Sequence, residues 1–184
     1  MSQPKFNLSA YTSVILDGMM WNGELEDHKD YTEETINLEV EDFLLRSLAR
    51  KAPKTYLLAD GEFANDLIHR AKKDPRNRNV SFEELIILDI DWIITPDGAS
   101  PEEEQADILV GWKVVRKKVS GKNLKKSVFI TTEETAVLPA LTCGIKTVLY
   151  ITDDAESMGV ILSEEIKLFP GKVHFLSALN DIEL

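Results

Sequence analysis

The chain predicts an α/β protein of three layers, in which a doubly wound and mainly parallel sheet carries helices on both faces. Three observations lead there. Short apolar and β-branched runs alternate with segments of helical periodicity, the signature of strand–helix–strand units. The run Ser13-Val-Ile-Leu16 reads as a buried strand that meets an Asp17-Gly18 turn. With 184 residues, 43% of them hydrophobic, the chain is long enough to bury a substantial core.

The strands are expected at Ser13–Leu16, Thr55–Ala59, Trp92–Thr95, Val128–Thr131, Thr147–Ile151 and Val173–Leu176. The first two are separated by a helix. Thr32 can cap it, Glu33 and Glu34 suit its positive end, and Ile36, Val40, Phe43, Leu44 and Leu48 share one face. A second helix spans about Glu62–Lys73 and stops before Asp74-Pro75. The third opens at Ser100-Pro101-Glu102-Glu103, which supplies a cap, a proline at the first helical position and an acid in register. A fourth runs from about Thr132 to Thr142, and Cys143-Gly144 ends it. Pro139 lies inside that helix and removes one backbone bond, a cost of about 3 kcal/mol unless the helix starts late. One domain over 1–184 is expected, with its core at about 13–179.

Charge narrows the function classes. The net charge is 21 − 32 = −11, which argues against a nucleic-acid or anionic-membrane partner. No apolar run approaches the ~18 residues of a membrane span, and the first residues do not read as a secretory signal. Cys143 is the single cysteine, so no internal disulfide forms; a cytoplasmic setting is the expectation. Two blocks break the even charge pattern: 24–42 holds nine acids and one lysine, whereas 113–126 holds seven bases and no acid. Solvated helix faces are the plain reading. The sharper one is docking to a protein partner, or self-complementary pairing in a homo-oligomer.

The order of these motifs resembles the haloacid dehalogenase-like (HAD) phosphohydrolases. The resemblance rests on Val14-Ile15-Leu16-Asp17-Gly18, on Val128-Phe-Ile130 followed by a helix, and on Cys143-Gly-Ile-Lys-Thr-Val-Leu-Tyr-Ile151, and it covers about Ser13 to Leu179. It implies a HAD-like Rossmannoid fold with no large cap domain, since 18–54 holds little beyond one helix. It also implies a site at the C-terminal strand ends, where an Asp attacks phosphorus, a second carboxyl moves a proton and Mg²⁺ is held by carboxylates.

This chain departs from that pattern at most of its positions. Ile15 stands where the family has its nucleophilic Asp, and Asp17 where it has the general acid/base. Ala59 replaces the phosphate-binding hydroxyl, with Asp60 next to it in the role of a helix cap. No lysine falls near Asp107, where the phosphate-binding one is due. Thr131-Thr132 stands for Gly-Asp, and Ala136 for the last acid. Leu88-Asp89-Ile90-Asp91 also spells Asp-x-Asp, but no Gly-Thr follows it.

The expectation is therefore a catalytically inactive HAD-like domain that binds or assembles, with no cofactor and no metal. The alternative is a divergent metal-dependent phosphatase or hydrolase, in which Asp17, Asp60 and Glu133 rebuild an acidic site around Mg²⁺; Asp17 and Glu133 would be its metal ligands. Glu133 and Glu134 also suit a helix N-terminus on dipole grounds alone. A third reading is a response-regulator-like or other flavodoxin-like domain, which strand order separates from the first two. His28, His69, His174 and Cys143 show no metal spacing, and no glycine-rich phosphate loop occurs. Cys143 reads as a small hydrophobe, and Trp21, Trp92 and Trp112 as core or partner-facing.

Overall fold

The computed structural model describes residues 5–18, 31–50, 53–59, 61–73, 78–89, 112–113 and 115–184, with side chains from residue 39 in the first helix. Its main sheet has six strands: β2 (Ser13–Asp17), β3 (Lys54–Ala59), β4 (Ile86–Asp89), β5 (Ser127–Thr131), β6 (Thr147–Ile151) and β7 (Val173–Leu176). They lie in the order β4-β3-β2-β5-β6-β7, and every pairing is parallel. A separate parallel pair joins β1 (Phe6–Asn7) to β8 (Ile182–Glu183).

Numbered within the sheet, the order is 3-2-1-4-5-6, the doubly wound arrangement rather than the flavodoxin-like 2-1-3-4-5. This removes the response-regulator reading. Crossovers between parallel strands are right-handed, so connections that leave the central strand in opposite directions fall on opposite faces. Helices α1 (Tyr31–Ala49) and α2 (Gly61–Lys73) cover one face. The other carries helical residues at 112–113 and 115–119, α3 (Gly121–Leu124), α4 (Glu134–Cys143), α5 (Ala155–Ile161) and α6 (Ser163–Leu168). The protein is thus a three-layer, Rossmann-like α/β fold, with no large cap among the described residues.

The sequence explains why both faces are dry. In β2, Val14 and Leu16 join the core under α1 and α2, while Ile15 joins the opposite core with Tyr56, Leu58 and Phe129. All five residues of β2 are buried, as are those of β5 and β6. A strand covered on both sides reads as a continuous apolar run. Each fully buried Leu, Ile or Phe contributes roughly 1.5–3 kcal/mol. The amphipathic face predicted for the first helix is confirmed at Val40, Phe43, Leu44 and Leu48, all buried.

Several boundaries are corrected. The first helix begins at Tyr31, so Thr32 is a helical residue and not its cap. A strand not expected from the sequence forms at Ile86–Asp89, while the run expected at Trp92–Thr95 lies outside the described residues along with the Ser100 helix start. Helix α4 starts two residues late, at Glu134, and ends on Gly144 at φ 110°. Only glycine takes that backbone shape cheaply, and its amide closes the helix on the Ala140 and Leu141 carbonyls. Pro139 is nevertheless inside the helix. The carbonyl it leaves without an amide belongs to Thr135, which is exposed to water.

Candidate functional site

Strand order reverses at β2, which has β3 on one side and β5 on the other. Doubly wound sheets bind ligands in the crevice beyond the C-terminal strand ends at this point. Asp17 ends β2 there, and Thr131 ends β5. The neighbouring register, Ile15 with Phe129 and Leu16 with Ile130, brings the two terminal residues level.

The Thr131 hydroxyl donates to Asp17 Oδ2 at 2.6 Å, in a buried contact. The same oxygen accepts the Glu133 amide at 2.8 Å. An amide can only donate, so the threonine proton is directed at the carboxylate. The pair ties the two central strands together at their ends and fixes the first residues of the β5–α4 turn. Asp17 is 1% exposed, so its charge needs such partners.

Ile15 is fully buried two residues before the end of β2, inside the core with Tyr56, Leu58 and Phe129. It is not at the strand end, which belongs to Asp17. Ala59 is also buried, and it faces the turn after β2. A Cβ added at Gly18 would lie 2.6 Å from the Ala59 Cβ and 2.8 Å from the Leu58 carbonyl oxygen. Glycine at 18 is required by this close approach of backbones, not by a left-handed turn.

Thr132 and Glu133 stand beside the pair but face differently. Thr132 is half-buried, and its carbonyl accepts the Tyr150 hydroxyl. Glu133 is exposed, as is Glu134. Their negative charges, together with the dominant effect of burial, push the Tyr150 phenol above its ordinary range. Tyr150 and Thr131 are partners in the β5–β6 register, so both belong to this edge. The sequence reasoning missed Tyr150, although its place near the end of a predicted strand was a usable signal. It also weighed Thr132 where Thr131 makes the contact.

Asp60, Asp91 and Asp107 lie outside the described residues. Cys143 donates to the Trp112 carbonyl at 3.2 Å, and burial raises its thiol despite the opposing Arg116 charge, so it is a poor thiolate. Trp112 is buried with its ring edge-on to Phe129, a core role. His69 is exposed, and His174 lies against the Phe6 ring at 5.3 Å between centroids.

As a metal site the described residues are a poor fit. No group of three or more His, Cys, Asp or Glu side chains converges among them. Asp17 has its Oδ2 engaged by a hydroxyl, where a Mg²⁺ ion wants oxygen ligands in octahedral array. No helix among the described residues is long and apolar enough to cross a membrane. No protein-family model matches the chain, and neither does any curated protein or any solved structure.

Proposed function

We propose that this chain is a HAD-like scaffold without the family's phosphoryl-transfer chemistry, and that it acts as a binding or assembly module. One observation carries the reading: the position aligned with the nucleophile is Ile15, an aliphatic side chain with 0% exposure. It has no lone pair to offer phosphorus and no access to a substrate. The contact between Asp17 and Thr131 supports the same view, because it gives the remaining carboxylate a structural task. The experiment is turnover of p-nitrophenyl phosphate with Mg²⁺. No turnover is expected; activity that Asp17→Asn abolishes would overturn the proposal.

Assembly draws support from the basic segment. Lys113, Arg116, Lys117, Lys118, Lys122, Lys125 and Lys126 are all exposed, on a chain of net charge −11. Such a surface steers an acidic protein partner or a second copy. Within the acidic segment, Glu39 is already engaged by the Leu179 amide and Asp42 by Arg46. Sedimentation at low and high salt checks self-association: a larger species at low salt that dissociates at high salt is the expected signature.

A second reading keeps hydrolysis, with Asp17, Asp60 and Glu133 around a metal. What favours it is position: Asp17 ends the central strand at the switch point. Calorimetric titration with Mg²⁺ or Mn²⁺ decides it, and absence of binding heat removes its basis.

A further inference from the structure

The last strand–helix unit is less covered than the centre of the sheet. Every residue of β2, β5 and β6 is buried, whereas none of β7 is, and neither α5 nor α6 has a buried residue. The inward positions of the two helices are Met158, Leu162, Ile166 and Phe169, spaced three and four apart, and they pack on the core that holds Phe129 and Val148. The Leu162 amide donates to the Met158 carbonyl at 2.9 Å and the Ile166 amide to the Leu162 carbonyl at 3.0 Å, so this periodicity carries through the junction of α5 and α6. The outward positions are Val160, Ile161, Glu164, Lys167 and Leu168, all exposed.

An outward helical face is ordinarily polar. Here Val160 is 72% exposed, Ile161 54% and Leu168 66%, three of the four large apolar side chains exposed among the described residues. Apolar side chains exposed singly need no explanation, but three on one stripe mark an interaction surface. The two charges in the stripe are opposite and three residues apart, the spacing of helix neighbours. Among the described residues, however, the side chains of Glu164 and Lys167 make no ion pair with each other or with any third group. From Val160 to Leu168 the outward positions sum to zero charge, on a chain of net charge −11.

We propose that this stripe pairs with the same stripe of a second copy of the chain, antiparallel about a two-fold axis. A two-fold interface uses one patch twice, so the patch must complement itself. An apolar stripe with one acid and one base meets that condition. In the antiparallel pair, Glu164 of each copy meets Lys167 of the other, and Val160, Ile161 and Leu168 are closed off from water around these two ion pairs. An anionic membrane would repel the acidic chain, and a strongly charged partner gains nothing from a neutral stripe. Residues 155–168 span about 21 Å of helix, a short contact, so the dimer is weak and reversible. This surface is separate from the basic segment 113–126. Apolar burial survives added salt, whereas long-range attraction by that segment does not.

Sedimentation velocity of the full chain over a concentration series in high salt separates the two surfaces. A dimer in rapid exchange with monomer is expected to persist there. Leu168→Ser should weaken it by about tenfold or more, because symmetry removes the side chain twice. Lys167→Glu should weaken it several-fold, since Glu164 then meets a like charge, and Glu164→Lys should do the same. Charges covered by an interface are screened less than exposed ones, so these effects remain in salt. The chain with both exchanges rebuilds each pair and should recover the dimer. All the altered side chains are exposed, so each variant is expected to keep the parent's circular dichroism. A monomer at every concentration in high salt would overturn the proposal and leave the stripe to a different protein, while assembly through 113–126 would stand. The proposal also fails if Leu168→Ser dimerises like the parent, or if the double exchange dimerises no better than either single one.

Discussion

Thr131 and Asp17 meet at 2.6 Å across the ends of the two central strands, and the threonine oxygen also receives the Glu133 amide. One hydroxyl thereby joins β2, β5 and the turn into α4. The residues are 114 apart in sequence, so only the tertiary fold brings them together.

Replacing Thr131 with valine keeps the shape and removes this junction. Hydrogen bonds to charged groups are worth roughly 1.5–3 kcal/mol, and a loss of that size is expected in urea denaturation. Asp17→Asn should lose part of the same energy. The double variant should then be less destabilised than the sum of the two, with a coupling of at least ~0.5 kcal/mol. Additive losses would mean that the contact contributes nothing of its own.

Ile15→Asp restores the carboxylate that the HAD-like pattern places there. The side chain would enter the core among the apolar side chains of Tyr56, Leu58 and Phe129. An uncompensated buried charge costs roughly 3–5 kcal/mol, which is a large part of a domain's stability. The expected outcome is a strongly destabilised protein without phosphatase activity. A stable variant that turned over p-nitrophenyl phosphate would show that the position can reach a substrate after all.

Two of the chain's four tyrosines, Tyr56 and Tyr150, have phenols raised above their ordinary range, Tyr56 by burial and Tyr150 by burial and then by Glu134 and Glu133. A raised folded value means that the unfolded chain loses these protons first. The stabilisation is full below about pH 10, the unfolded value, and is lost as pH climbs through the folded one. Absorbance titration near the phenolate band should show part of the signal rising late, coincident with alkaline unfolding. Tyr150→Phe should remove part of that late step. A single unperturbed step for all tyrosines would refute the burial argument.

Much of the fold was legible in the sequence because the two cores are built from local patterns. Thr147–Ile151 and Val173–Leu176 fall where the apolar runs put them, and Val40, Phe43, Leu44 and Leu48 share the buried face that helical spacing gives. Ile86–Asp89 was harder to see. It is a four-residue edge strand with Ile86 partly in water, so its run is short and weakly marked. The β1–β8 pair has two residues per strand, too few to carry any periodic signal; it forms because the fold brings Phe6 and Ile182 side by side.

The candidate site was legible in part. Asp17-Gly18 was marked by its place after an apolar run. That Gly18 is demanded by Ala59 could not be read there, because the demand comes from a neighbouring strand at 2.6 Å. The sequence singles out Thr132, whereas Thr131 is the residue that meets Asp17, for a similar reason. Adjacent threonines look alike in sequence, and only the pleat of β5 decides that Thr131 points with Phe129 toward the Asp17 side while Thr132 leaves the strand.

The sequence by itself determined the class of fold and most of the strands, since these depend on the identity and spacing of neighbouring residues. Tertiary structure alone decided the strand order, the engagement of Asp17 by Thr131, and the approach of Ala59 to Gly18. Each is a relation between segments far apart in the chain, and local chemistry does not encode which distant surface a side chain will meet.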